Sequence, residues 1–60
     1  GYPLPFYHLA CCEALAGRTD AAIGHLRHAV ELSERLREFA QNDSDLDSIR
    51  DEPAFKEIVG

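Results

Sequence analysis

Phe6-Tyr7-His8-Leu9-Ala10-Cys11-Cys12-Glu13-Ala14-Leu15-Ala16-Gly17-Arg18-Thr19-Asp20 is the stretch that decides the fold. Phe6, Leu9, Ala10 and Ala14 recur at i, i+3, i+4 and i+8, which places them on one face of a helix and on no face of a strand. Ala10, Ala14 and Ala16 add helix propensity, and Gly17 supplies the left-handed residue on which a helix ends. Upstream, Pro3 and Pro5 hold Tyr2 and Leu4 extended, so residues 1–5 read as a lead-in. Pro5 can open the helix, where its missing N–H is no loss. The first helix is expected over about 5–16.

Arg18-Thr19-Asp20 is too short for anything but a tight corner, with Thr19 or Asp20 able to cap the next helix. Ala22, Leu26, Ala29, Val30 and Leu32 then form a second apolar stripe, opposed by His25, Arg27, His28 and Glu31. So short a connection forces antiparallel neighbours. Gly24 is costly inside a helix, which suggests a close approach at that point. Beyond Leu32 there are two readings: Ser33 caps a new helix, or the second helix runs on through Leu36, Phe39 and Ala40 with Glu31 and Arg35 paired. No proline or glycine interrupts 33–40, which favours continuation. Gln41-Asn42-Asp43-Ser44 is a stop-and-turn cluster. Ser44 or Asp45 starts a short turn carrying Leu46 and Ile49, and Asp51 before Glu52-Pro53 opens a last helix with Phe55, Ile58 and Val59. The expected fold is all-α, an antiparallel αα-hairpin over 6–40 with a long second helix, closed by short capping helices over 41–60.

Composition narrows the function. The 60 residues hold 6 Lys+Arg against 11 Asp+Glu, a formal net charge of −5. Such a balance lacks the basic stripe of a nucleic-acid binder. At 45% hydrophobic the chain is too apolar for a disordered tail, yet no run approaches the roughly 18 residues of a membrane span. Cys11-Cys12 is no disulfide framework and fits a reduced, cytoplasmic setting. The small size, the lack of an initiator Met and the leading Gly1 together read as a piece of a longer protein.

The hairpin resembles the tetratricopeptide repeat from Phe6 to Leu32. Phe6 stands at the repeat's Trp, Leu9 at its Leu and Ala10 at the following small residue. Gly17 takes the corner, and Ala22, Leu26 and Ala29 take the small, large, small positions of the second helix. Glu13 departs from the usual aromatic, implying a position that is exposed or paired. Glu34 departs from the terminating proline, which supports the longer second helix. The tail from Leu46 to Phe55 looks like the segment that often closes bacterial repeat arrays. The resemblance implies one repeat followed by its C-terminal cap.

Candidate chemistry is sparse. Asp43-x-Asp45-x-Asp47 has the opening of a calcium loop, but Ser48 and Ala54 occupy the obligatory glycine and glutamate positions. His8 with Cys12, and His25 with His28, have helical spacings that bind zinc only with four convergent ligands. His25 and His28 should point away from the first helix, so no cofactor and no metal are expected. Cys11 lacks a cationic helper, and no catalytic arrangement stands out. In the repeat family the first helix lines a groove, which here brings forward Tyr7, His8, Cys11 and Ala14. Those residues would bind an apolar peptide or helix, or pack on a preceding repeat or a second copy. The expected function is therefore a non-enzymatic protein-interaction module, with homodimerisation as the alternative, and with neither nucleic acid nor membrane as partner. On this reading Ala29→Leu should overpack the hairpin and His25→Ala should be nearly silent.

Overall fold

A computed structural model describes residues 2–60; Gly1, with the part of the lead-in expected there, lies outside them. The described residues form helices joined by short turns, with no strand among them, in a body of 25 × 21 × 17 Å. In order come α1 (Pro3–Leu15), α2 (Thr19–Leu32), α3 (Arg35–Gln41), a 3-10 helix (Ser44–Ile49) and α4 (Pro53–Val59). The chain is all-α, as expected, and α1 and α2 form the hairpin. The 3-10 helix lies across α1, while α4 closes against α2 and α3.

The first helix starts earlier than the sequence suggested. Pro3 is its first residue and Leu4 is helical, so only Tyr2 of the described lead-in is extended. The N–H groups of a helix's first turn have no intrahelical acceptor, so both prolines fit there without losing a bond. α1 stops at Leu15, and Gly17 turns the corner at φ +81, as a left-handed exit requires. Thr19 and Asp20 do not cap α2: Arg18 holds that position, without a side-chain hydrogen bond. Nor does Asp51 cap α4, which opens from Glu52 with Pro53 as its first residue.

Continuation of the second helix is corrected. Ser33 is extended, at φ −152 and ψ 108, and separates α2 from α3. Ser33 N–H still completes the last turn by donating to the Ala29 carbonyl, so the break leaves that end satisfied. The redirected α3 buries Leu36 and Ala40. Their burial decides the path, since each apolar side chain removed from water is worth on the order of 1–3 kcal/mol. The Glu31–Arg35 pair is not formed; Arg37 instead lies near Glu34, at 3.7 Å. The hairpin thus spans 3–32, and α3 belongs with the closing segment.

The core runs through every element. Ala10, Ala22, Leu26 and Ala29 are fully buried where α1 meets α2, and Leu46, Ile49 and Phe55 fill the space beneath the closing segment. Small residues at 10, 22 and 29 bring the two helix axes close, and Leu26 fills what remains. Leu9, expected among the filling residues, is instead 46% exposed, and Leu32 is only partly covered. Gly24 has no close neighbour: a Cβ there would meet nothing within 4 Å.

Arg50 ties the closing segment together. Its guanidinium donates to the carbonyls of Gln41 (2.6 Å) and Asp43 (2.6 Å), and more distantly to that of Ala40. Nε pairs with Asp47 at 3.1 Å, and the group lies 5.4 Å from the Phe55 ring centre. It thereby satisfies carbonyls left open where α3 ends.

Candidate interaction surface

Tyr7, His8, Cys11 and Ala14, expected to line an open groove, divide between two sides of α1. Tyr7 is 4% exposed, and Cys11 and Ala14 are also buried; His8 is exposed. The chain itself fills the expected groove. Tyr7 Oη donates to Asp43 Oδ2 at 2.7 Å, and Cys11 Sγ approaches the same oxygen at 3.8 Å. Asp43 Oδ1 accepts the N–H of Asp45 at 3.0 Å and so caps the 3-10 helix, while Ser48 Oγ donates to the Ala14 carbonyl at 2.8 Å. Phe39 leans edge-on against the Tyr7 ring. The correction has a simple cause. The 3-10 helix must bury Leu46 and Ile49, and the Tyr7–Ala14 side of α1 is the apolar surface beside it.

This contact sets the ionisation of the two buried groups. Burial, reinforced by the negative Asp43 beside it, pushes the Cys11 thiol from 9.0 up to about 11. Burial and the hydrogen bond to Asp43 raise the Tyr7 hydroxyl further still. Both groups are held neutral in the folded chain.

Cys11, Asp43 and Asp45 bring three ligand-type atoms within 4.8 Å of one another. Sequence spacing did not link Cys11 to these acids. The Asp43 oxygens are already hydrogen-bonded to Tyr7, Cys11 and Asp45, so the cluster acts as a hydrogen-bonded hub. Asp47, the third acid of the loop pattern, faces Arg50 instead.

The histidines also part from expectation. His25 turns towards α1, its Nδ1 lying 2.5 Å from Glu13 Oε1, which answers the question of what Glu13 pairs with. Phe6 stacks near the His25 ring and meets His28 edge-on at 4.3 Å between centroids. These contacts fix α1 against α2 from the side, where sequence reasoning had placed a free polar face. His8 and Cys12 are both exposed, on the far side of α1.

That far side is the most distinctive surface of the molecule. With 100° between residues, Leu4, Pro5, His8, Leu9, Cys12 and Leu15 fall together, with Cys12 near the centre. Leu4 is 56% and Leu15 69% exposed. Glu13 is the one charged residue of α1, and it is turned to His25. The signal was available in the sequence: α1 has apolar residues on its outer side as well as its buried one, which a helix with one buried face does not need. By contrast, the open cleft of about 510 Å³ between α2, α3 and α4 mixes Arg27 and Arg37 with Glu31 and Glu57 above Val30 and Ile58. Its acids and bases balance, so the cleft favours no particular ligand charge.

No known protein family matches the chain, and no curated protein or solved structure shows detectable similarity to it.

Proposed function

We propose that this chain is a non-enzymatic protein-interaction module, the tetratricopeptide-like C-terminal end of a larger, bacterial-type cytoplasmic protein, and that it works through the outward face of α1. The observation that carries the reading is the uncharged strip of Leu4, Leu9, Cys12 and Leu15 on a chain of net charge −5. Aliphatic side chains left exposed together gain free energy when a partner removes them from water, at roughly 25 cal/mol per Å². The repeat-like register supports the same assignment through Ala10, Ala22 and Ala29, all fully buried in the hairpin contact. The partner surface is apolar, a peptide or a helix, because a charged segment or a nucleic acid gains nothing from this strip. No described helix is long and apolar enough to cross a membrane.

Selection from a displayed library of helical peptides tests the reading. Binders recovered on the 60-residue chain should lose affinity at least tenfold on Leu9→Glu, with the circular dichroism spectrum unchanged. Recovery only of binders indifferent to Leu9→Glu would refute the assignment of this face.

A further inference from the structure

The inner side of α1 carries a donor set that the interaction reading leaves unused. Cys11 meets Asp43 and Asp45 at the start of the 3-10 helix, with one ligand-type atom of each within 4.8 Å of the others. Cys11 Sγ and Asp43 Oδ2 lie 3.8 Å apart. A tetrahedral zinc ion, with bonds of about 2.3 Å to sulfur and about 2.0 Å to oxygen, holds such atoms roughly 3.3–3.5 Å from one another. Asp45 is exposed, so rotation of its side chain is enough to close the set on one ion.

Charge favours a cation at this point. Among the described residues, no basic side chain forms an ion pair with Asp43 or Asp45. Arg50 directs its donors to Asp47 and to backbone carbonyls instead. The surroundings are also arranged as a metal site requires. Tyr7 Oη and the Asp45 N–H hold the Asp43 carboxylate in place, as outer-shell donors do for ligating groups. An ionised carboxylate accepts at about four lone-pair sites, so of the three hydrogen bonds to Asp43 only that of the thiol must give way. The donor chemistry selects the ion. A thiolate favours zinc over calcium or magnesium, and Asp47, which a calcium loop would need, faces Arg50.

We propose that Cys11, Asp43 and Asp45 bind one zinc ion, with water as fourth ligand, and that the ion clips the 3-10 helix to α1. The ion takes the place of the thiol proton: the S–H bond breaks, an S–Zn bond forms, and the proton passes to solvent with no change of oxidation state. The site lies on the other side of α1 from the interaction face and does not depend on it.

Cobalt(II) tests the site, because a thiolate ligand gives it a charge-transfer band in the near ultraviolet. Titrated into the reduced 60-residue chain, Co²⁺ should raise that band to a 1:1 end point, and Zn²⁺ should abolish it by displacement. Cys11→Ala should lose the band. Cys12→Ser should keep it, which separates this site from the exposed His8 and Cys12 one turn apart. Asp45→Asn alters an exposed side chain and leaves the capping N–H in place, so the fold should survive. It should weaken Zn²⁺ binding at least tenfold with an unchanged circular dichroism spectrum. Zn²⁺ should raise the thermal midpoint of the parent, and Ca²⁺ should not. Absence of the band in the parent overturns the proposal, as does a band that survives Cys11→Ala or an affinity for Zn²⁺ unchanged in Asp45→Asn. A band lost in Cys12→Ser would give the metal to His8 and Cys12 and overturn it equally.

Discussion

Two glycines of the hairpin make opposite predictions. Gly17 sits at φ +81, where an added Cβ is strained whatever space surrounds it. Gly17→Ala should cost about 1 kcal/mol. Gly24 lies inside α2 with nothing within 4 Å of a would-be Cβ, so Gly24→Ala should stabilise the fold by about 0.5–1 kcal/mol. Urea titration of both variants checks the pair, and a loss of stability in Gly24→Ala would mean that α2 meets another surface there. His25 is revised in the same way. Because it contacts Glu13 and lies over Phe6, His25→Ala should cost on the order of 1 kcal/mol at neutral pH, not the near-silence expected of a solvated face. A denaturation midpoint equal to that of the parent would return His25 to solvent.

Among the elements, the hairpin was legible and the closing segment only partly so. The hairpin is local, and its helical spacing, Gly17 and the small residues at 10, 22 and 29 all point to one arrangement. Ala29 is fully buried at the centre of that arrangement. Ala29→Leu should therefore overpack it by about 1–3 kcal/mol, measured as a lower thermal midpoint. The break at Ser33 could not be read locally, because no breaker residue marks it and its cause is the distant burial of Leu36 and Ala40. The occupied groove was hidden for a related reason. Tyr7 and Asp43 are 36 residues apart, and their pairing depends on how the 3-10 helix lies across α1. Arg50 is the clearest case of a role that only tertiary structure reveals. Its planar fork reaches two carbonyls, Asp47 and the Phe55 ring together, which one ammonium cannot do. Arg50→Lys should cost about 1–3 kcal/mol and raise amide exchange selectively in the turn between α3 and the 3-10 helix. Uniform exchange across the chain would show that Arg50 caps nothing in particular.

At the scale of the whole molecule, stability on the alkaline side depends on the contact that fills the groove. The Cys11 thiol loses its proton near its ordinary 9.0 in the unfolded chain but only at about 11 in the folded one. Between those values the folded state binds the extra proton, so stability falls as pH rises. The contribution is complete below about 9 and is lost by about 11. Tyr7, raised in the same direction from 10.0, adds to the decline above pH 10. The thermal midpoint should therefore hold steady from neutral pH to about 9 and then drop, with the 3-10 helix and α1 losing their contact together. Tyr7→Phe should flatten the part of the decline above pH 10, and Cys11→Ala the part below it. Each also lowers the neutral-pH midpoint, so the slope and not the height is the readout. An alkaline limb unchanged in both variants would mean that the hub around Asp43 is open to water, and the groove on α1 would again be available to a foreign segment.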